Sequence, residues 1–185
     1  MESISKSDAM LFDSSIAGDK GGVIAALAEG GRVTVSGPCG VTPLLAAALE
    51  GHTDICGLLL AHGSDVNAMH HIEKRTALHY SAIKGQNNLV EALLSWGAEV
   101  NQQDYFGSTP LHAACQEGHL LCVFTLLKAG ASITLPDDQG SLPIHLAAGS
   151  NRVEIVRTLL EHGCSPDTVG WKQNWRPEDP ETLRQ

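Results

Sequence analysis

Aromatic residues are scarce in this chain: three Trp, two Tyr and three Phe amount to 4% of 185 residues, although hydrophobic residues reach 43%. A core without large rings has to be assembled from Ala, Leu, Val and Ile, which favours repeated small helices. Long apolar runs are missing too. Stretches such as 41–49 and 55–62 fall far short of the roughly 20 residues a membrane span requires, so no membrane partner is expected. Basic charge is in deficit, with 12 Lys+Arg against 21 Asp+Glu and a formal charge of −9, which argues against nucleic acid as a partner. No basic n-region leads into an apolar stretch at the N-terminus, so no secretion signal is read there. The five cysteines, at 39, 56, 115, 122 and 164, are odd in number and never spaced C-x-x-C. With no N-x-Ser/Thr acceptor present either, reduced thiols and a cytoplasmic or nuclear location are expected.

Catalytic motifs are equally absent. The segment Gly18-Asp19-Lys20-Gly21-Gly22 matches neither phosphate-loop spacing and reads as a helix–helix turn. No G-x-S-x-G elbow, H-E-x-x-H pair or paired carboxylate constellation occurs. Cys39 stands in a turn, Gly37-Pro38-Cys39-Gly40, without an identifiable base. No enzymatic activity and no cofactor are therefore expected.

What the chain does contain is a repeat. Thr42-Pro43-Leu44-Leu45, Thr76-Ala77-Leu78-His79, Thr109-Pro110-Leu111-His112 and Leu142-Pro143-Ile144-His145 begin at 42, 76, 109 and 142, intervals of 34, 33 and 33. A second block recurs in phase: Leu58 to Gly63, Leu93 to Gly97, Leu126 to Gly130 and Leu159 to Gly163. Thr before Pro places a hydroxyl at the N-cap and the proline at the first helical position, so helices begin at Thr42 and Thr109. Gly51, Gly85 and Gly118 supply the left-handed residue that stops each one. Leu89, Val90, Leu93 and Leu94 then show the helical spacing of a second helix, ended by Gly97. Each unit is thus a pair of short antiparallel helices that cannot bury its apolar face alone. Stability has to come from stacking, with Leu111 and Leu94 expected in the core.

A 33-residue period carrying T-P-L-H-x-A closely resembles the ankyrin repeat family, which implies an all-α fold, an ankyrin repeat solenoid of stacked helix-turn-helix units. On that resemblance, residues 1–7 form an N-terminal tail, 8–169 the repeat domain and 170–185 a C-terminal tail. The units fall at about 8–36, 37–70, 71–103, 104–136 and 137–169, the first a divergent capping repeat. Departures are visible. Lys74 stands where the family prefers a turn glycine, Leu45 replaces the usual histidine, and one residue is inserted between Asn67 and Thr76. No polar C-terminal capping repeat is expected in residues 168–185; Trp171 and Trp175 are expected to lie over the last helix pair, a disordered tail being the alternative.

The same resemblance accounts for seven of the nine histidines. His79, His112 and His145 are expected to bond loops to helices, while His52, His119, His62 and His162 flank the turn glycines. Only His70 and His71 fall outside this scheme, and no cysteine or carboxylate stands at a ligand spacing from them, so no metal is expected.

Ankyrin proteins bind through the concave side formed by the turns and first helices. Matched phase by phase, the partner-binding residues here would be Leu49, Ile72, Glu73, Arg75, Ile83, Lys84, Tyr105, Phe106, Gln116, Glu117 and Asp138. Phe106 has packing within its own turn as an alternative. The implied function is binding another protein as adaptor, inhibitor or targeting subunit, with the chain itself monomeric. Two further readings stay open. Asn67 and Asn101, each eight residues after a leucine, resemble ankyrin sites modified by an asparaginyl hydroxylase. The chain is also similar in length to small ankyrin-type inhibitors of cyclin-dependent kinases.

Overall fold

The computed structural model describes residues 4–165, which form ten α-helices and no strand. They are α1 Lys6–Ala17, α2 Lys20–Ala28, α3 Pro43–Glu50, α4 Thr53–Ala61, α5 Ala77–Ile83, α6 Asn87–Ser95, α7 Pro110–Glu117, α8 Leu120–Lys128, α9 Pro143–Gly149 and α10 Val153–Glu161. The expectation for Trp171 and Trp175 concerns residues outside those described.

Local chemistry sets the boundaries. Thr42 and Thr109 lie in extended backbone, and their hydroxyls accept from Leu45 N at 3.3 Å and His112 N at 3.4 Å, with Pro43 and Pro110 at the first helical turn. α1 starts at Lys6, ahead of the expected boundary at residue 8, because Ser5 and Asp8 form a reciprocal capping box. Arg32 then pairs with the buried Asp8 at 2.8 Å and locks the first unit, which holds the Asp8 carboxyl well below the usual carboxylate range. Gly21 and Gly22 belong to the first turn of α2, with Asp19 as its N-cap, rather than to the turn between helices.

Packing follows the period. Odd-numbered helices stack on one another as one layer and even-numbered helices as a second. Leu44, Leu78, Leu111 and Ile144 recur in the core from the first layer, and Leu59, Leu93, Leu126 and Leu159 from the second. Leu94, expected in the core, is only half-buried, while its neighbour Leu93 is fully buried. One residue further along a helix is a rotation of about 100°, which carries Leu94 to the edge of the core.

Polar contacts repeat at each junction. The ring of His52 reaches Ile16 O at 3.1 Å and that of His119 reaches Ile83 O at 2.9 Å; Arg152 donates to Gln116 O at 3.3 Å from the equivalent place. These side chains lie against the glycines that end the preceding first helices. A Cβ on Gly18 would stand 2.7 Å from His52, and one on Gly118 2.7 Å from Arg152, so a larger residue would displace these side chains, and the positive φ favours glycine at both positions. His79 and His112 knit in another direction. Each accepts at Nδ1 from the N-cap backbone, Thr76 N or Thr109 N at 3.2 Å, and donates from Nε2 to the next unit, Ser108 O or Ser141 O at 3.1 Å. A carbonyl only accepts, so the neutral Nε2–H tautomer is the one that satisfies both bonds.

Burial pushes His79 down to about 4, and His112 and His145 are lowered by the same cause. Histidines of the unfolded chain take up a proton near pH 6.5, so between there and 4 the unfolded state binds more protons and stability is lost as pH falls. Urea midpoints at pH 7, 6 and 5 should therefore decline, His79 contributing at most about 1.4 kcal/mol per pH unit. A flat profile over that window contradicts neutral caps. In the core, Leu111→Ala and Leu93→Ala should each cost about 2–5 kcal/mol in denaturant titrations, and Leu94→Ala less than either.

Candidate protein-binding surface

Four turns precede the first helices of the later units and lie side by side. Three close in the same way, Gly40 N to Gly37 O at 3.2 Å, Gly107 N to Asp104 O at 3.0 Å and Gly140 N to Asp137 O at 2.9 Å. The inserted residue widens the fourth by one position: Lys74 N donates to His70 O at 2.9 Å and His70 N to Arg75 O at 2.9 Å. Lys74 takes the left-handed conformation, φ 57°, that glycine holds in its neighbours. His70 Nδ1 accepts from Glu73 N inside this turn, and among the described residues no group of three or more His, Cys, Asp or Glu could hold a metal. The turns are linked in a ladder, His71 N to Cys39 O, Tyr105 N to Glu73 O and Asp138 N to Phe106 O, at 2.8 to 3.0 Å.

The ladder carries apolar side chains outward. Ile72, Tyr105 and Phe106 are 63%, 65% and 59% exposed, and the two rings meet edge to face at 5.3 Å. Behind them run two grooves between the turns and the first helices. The first, about 350 Å³, is lined by Leu49, Glu73, Arg75, Ile83 and Lys84 together with Val41, Leu45, His70 and Tyr80. The second, about 440 Å³, gathers Arg75, Ile83, Phe106, Gln116 and Glu117 around Asp104, Asp137 and Gln139. Ile72, Tyr105 and Asp138 line neither groove and are exposed turn residues. Leu49 and Lys84 are exposed, and Ile83 is half-buried.

Electrostatics divide the expected residues by role. Arg75 donates from Nε to the buried Asp104 Oδ2 at 3.2 Å and lies 3.5 Å from Glu73 Oε2, while the Tyr80 hydroxyl donates to the same Glu73 oxygen at 3.0 Å. Burial and that bond push the Tyr80 hydroxyl up. Asp104 and Tyr80 are not among the partner-binding residues expected from the sequence. The signal for Asp104 was legible, since Asp137 repeats it at the start of the next turn, where an Asp side chain bonds its own loop backbone. Ile16, 44% exposed, occupies the phase of Leu49 and Ile83 one unit earlier and was also missed.

Asn67 and Asn101 line neither groove. Asn67 Oδ1 accepts from Glu99 N at 2.8 Å and Asn101 Oδ1 from Ser132 N at 2.7 Å, so each clasps the loop of the following unit. All five cysteines carry unpaired thiols, four of them buried and Cys39 exposed. Burial pushes Cys56 up to about 12 and Cys122 up to about 11, which keeps both protonated and poorly nucleophilic.

Stacked helix pairs, a ladder of turns and grooves beneath it define a repeat protein built to bind other proteins. A family model described as ankyrin repeats, three copies, matches residues 14–104 and 101–169, and the chain belongs to the ankyrin repeat family. It is similar to the neurogenic locus Notch protein of Drosophila melanogaster, 35% identical over 102 residues, 46% of this chain and 4% of that protein. Inversin of Mus musculus is 41% identical over 73 residues, 40% of this chain and 7% of inversin. The E3 ubiquitin-protein ligase XBAT33 of Arabidopsis thaliana is 40% identical over 72 residues, 38% of this chain and 14% of that protein. The chain thus spans a small part of each relative. Among the described residues no helix is long and apolar enough to cross a membrane.

Arg75 and Lys84 should separate in stability measurements. Arg75→Ala strands the Asp104 carboxylate and should cost about 1–3 kcal/mol, whereas Lys84→Ala on the open rim should stay within about 0.5 kcal/mol. Equal effects in parallel urea titrations would remove Arg75 from the structural network.

Proposed function

We propose that the chain is a protein-binding module that engages its partner through the face formed by the turn ladder and the two grooves, serving as an adaptor, inhibitor or targeting subunit rather than an enzyme. The supporting observation is the exposure of Ile72, Tyr105 and Phe106 on adjacent turns, the first of which contributes His70, Glu73 and Arg75 to an apolar groove. Exposed aromatic and branched side chains in one patch, flanked by charge, are how interfaces concentrate affinity. Lys84 supplies an open cation on one side and Asp138 an open carboxylate on the other. The unpaired thiols favour a reducing compartment, cytoplasmic or nuclear, with the chain monomeric until its partner binds.

Recovery of partners by affinity purification and mass spectrometry supplies the reagent for a paired measurement. Because Ile72 and Tyr105 contribute little to the core, replacing both with Ala should leave stability within about 1 kcal/mol yet weaken binding by about 2 kcal/mol, roughly thirtyfold. The control is Glu91→Ala, an exposed residue of α6 whose carboxylate accepts from Asn87. Calorimetric binding that survives the folded double variant as fully as the control would remove the ladder from the interface.

A second reading adds regulation. Asn67 and Asn101 occupy equivalent clasps between consecutive units, where β-hydroxylation would tune the stack rather than the binding face. Peptide mapping of protein co-expressed with an asparaginyl hydroxylase should show added oxygen at one or both; unmodified peptides would end this reading.

A further inference from the structure

Two neighbouring turns begin with the same residue and complete it differently. At Asp104, Oδ1 accepts from Phe106 N and Ser108 N, both at 2.9 Å, and Oδ2 accepts from Arg75 Nε at 3.2 Å. Asp137 repeats the first half, with Oδ1 accepting from Gln139 N at 2.9 Å and Ser141 N at 2.8 Å. The second half is not repeated. Arg75 immediately precedes the N-cap Thr76, and the residue in that position before Thr109 is Ser108, whose short hydroxyl cannot reach across a turn as a guanidinium does. Among the described residues no Lys or Arg pairs with Asp137.

The surroundings match on both sides of this difference. His79 reaches Ser108 O and His112 reaches Ser141 O at the same 3.1 Å, so the backbone frame that presents Arg75 to Asp104 recurs one unit later around Ser108 and Asp137. There the groove of about 440 Å³ opens, within the size range of small-molecule and side-chain pockets. Glu117 adds an exposed carboxylate, Phe106 an exposed ring and Leu146 a half-buried aliphatic surface. A planar cation on an aliphatic stem suits that set, through carboxylate pairing, contact with the ring and burial of the stem. Arg75 lines the same groove but is already engaged by Asp104 and Glu73, which leaves the Asp137 end negative.

We propose that this groove receives an arginine side chain from an extended segment of the partner protein, with Asp137 Oδ2 accepting its N–H groups as Asp104 Oδ2 accepts that of Arg75. The inference rests on the turn ladder being a protein-binding face and names the chemistry that this face selects. Arginine is preferred to lysine because the internal precedent is a guanidinium, whose fork matches a carboxylate edge.

The test is selection of random phage-displayed peptides against the whole chain, followed by affinity measurements on the synthesised winners. Asp137→Asn keeps the Oδ1 acceptor of the turn and removes the charge. Ser108→Arg supplies the chain's own guanidinium to Asp137, copying Arg75 and filling the groove. Arginine should be enriched, and replacing it by citrulline in the peptide should weaken binding at least about tenfold, as should either protein variant. Retention of affinity by the citrulline peptide or on the Ser108→Arg protein overturns the arginine site, and so does a selection that enriches no arginine or yields no binder. Winners that lose affinity on the Ile72/Tyr105 double-alanine variant but tolerate citrulline overturn this inference alone. Winners indifferent to that double variant as well overturn the binding face with it.

Discussion

No unit of this molecule can bury its own apolar side. The second helices are nine residues each and all but one of the first helices are seven or eight, lengths at which an isolated helix is unstable in water. Everything else depends on closing the junctions between units. Leucines at a 33- or 34-residue spacing provide the area, and the polar clasps provide register: histidine to carbonyl, asparagine to the next loop's amide, turn to turn. Because each clasp spans 29 to 36 residues of sequence, it forms only when neighbouring units are correctly docked.

The same demand explains which polar groups are unavailable for binding. Two histidines whose burial keeps them neutral, His79 and His112, and an arginine held by a buried aspartate belong to the joints. Side chains that no junction uses project from the turn tips, and there the chain places Ile72, Tyr105 and Phe106. A rigid frame with variable tips lets affinity be altered at the rim with little effect on the stack.

Legibility in the sequence followed the range of the interaction. Caps at Thr42 and Thr109 and stops at Gly51 and Gly118 are local, and residue type with spacing was enough to place them, whereas the turn at Lys74 followed from the family resemblance. The capping box at Ser5 and Asp8 was equally local and was overlooked, which displaced the start of the first unit. Leu93 and Leu94 were harder to separate, since both lie on the apolar side and only the facing helices decide which is fully enclosed.

By itself the sequence determined the helix-pair period, the all-α class and the kind of residue at each phase of the unit, because hydrophobic spacing and capping act within about ten residues. The tertiary structure decided how those phases meet. Arg75 is among the partner-binding residues expected from the sequence; stacking brings Asp104 against it, 29 residues along the chain, and makes it part of the frame. Ser108 became the position where that arginine is missing, and Asp137 a carboxylate lining the groove. Such pairings arise from the rotation and translation between successive units, which no local spacing encodes.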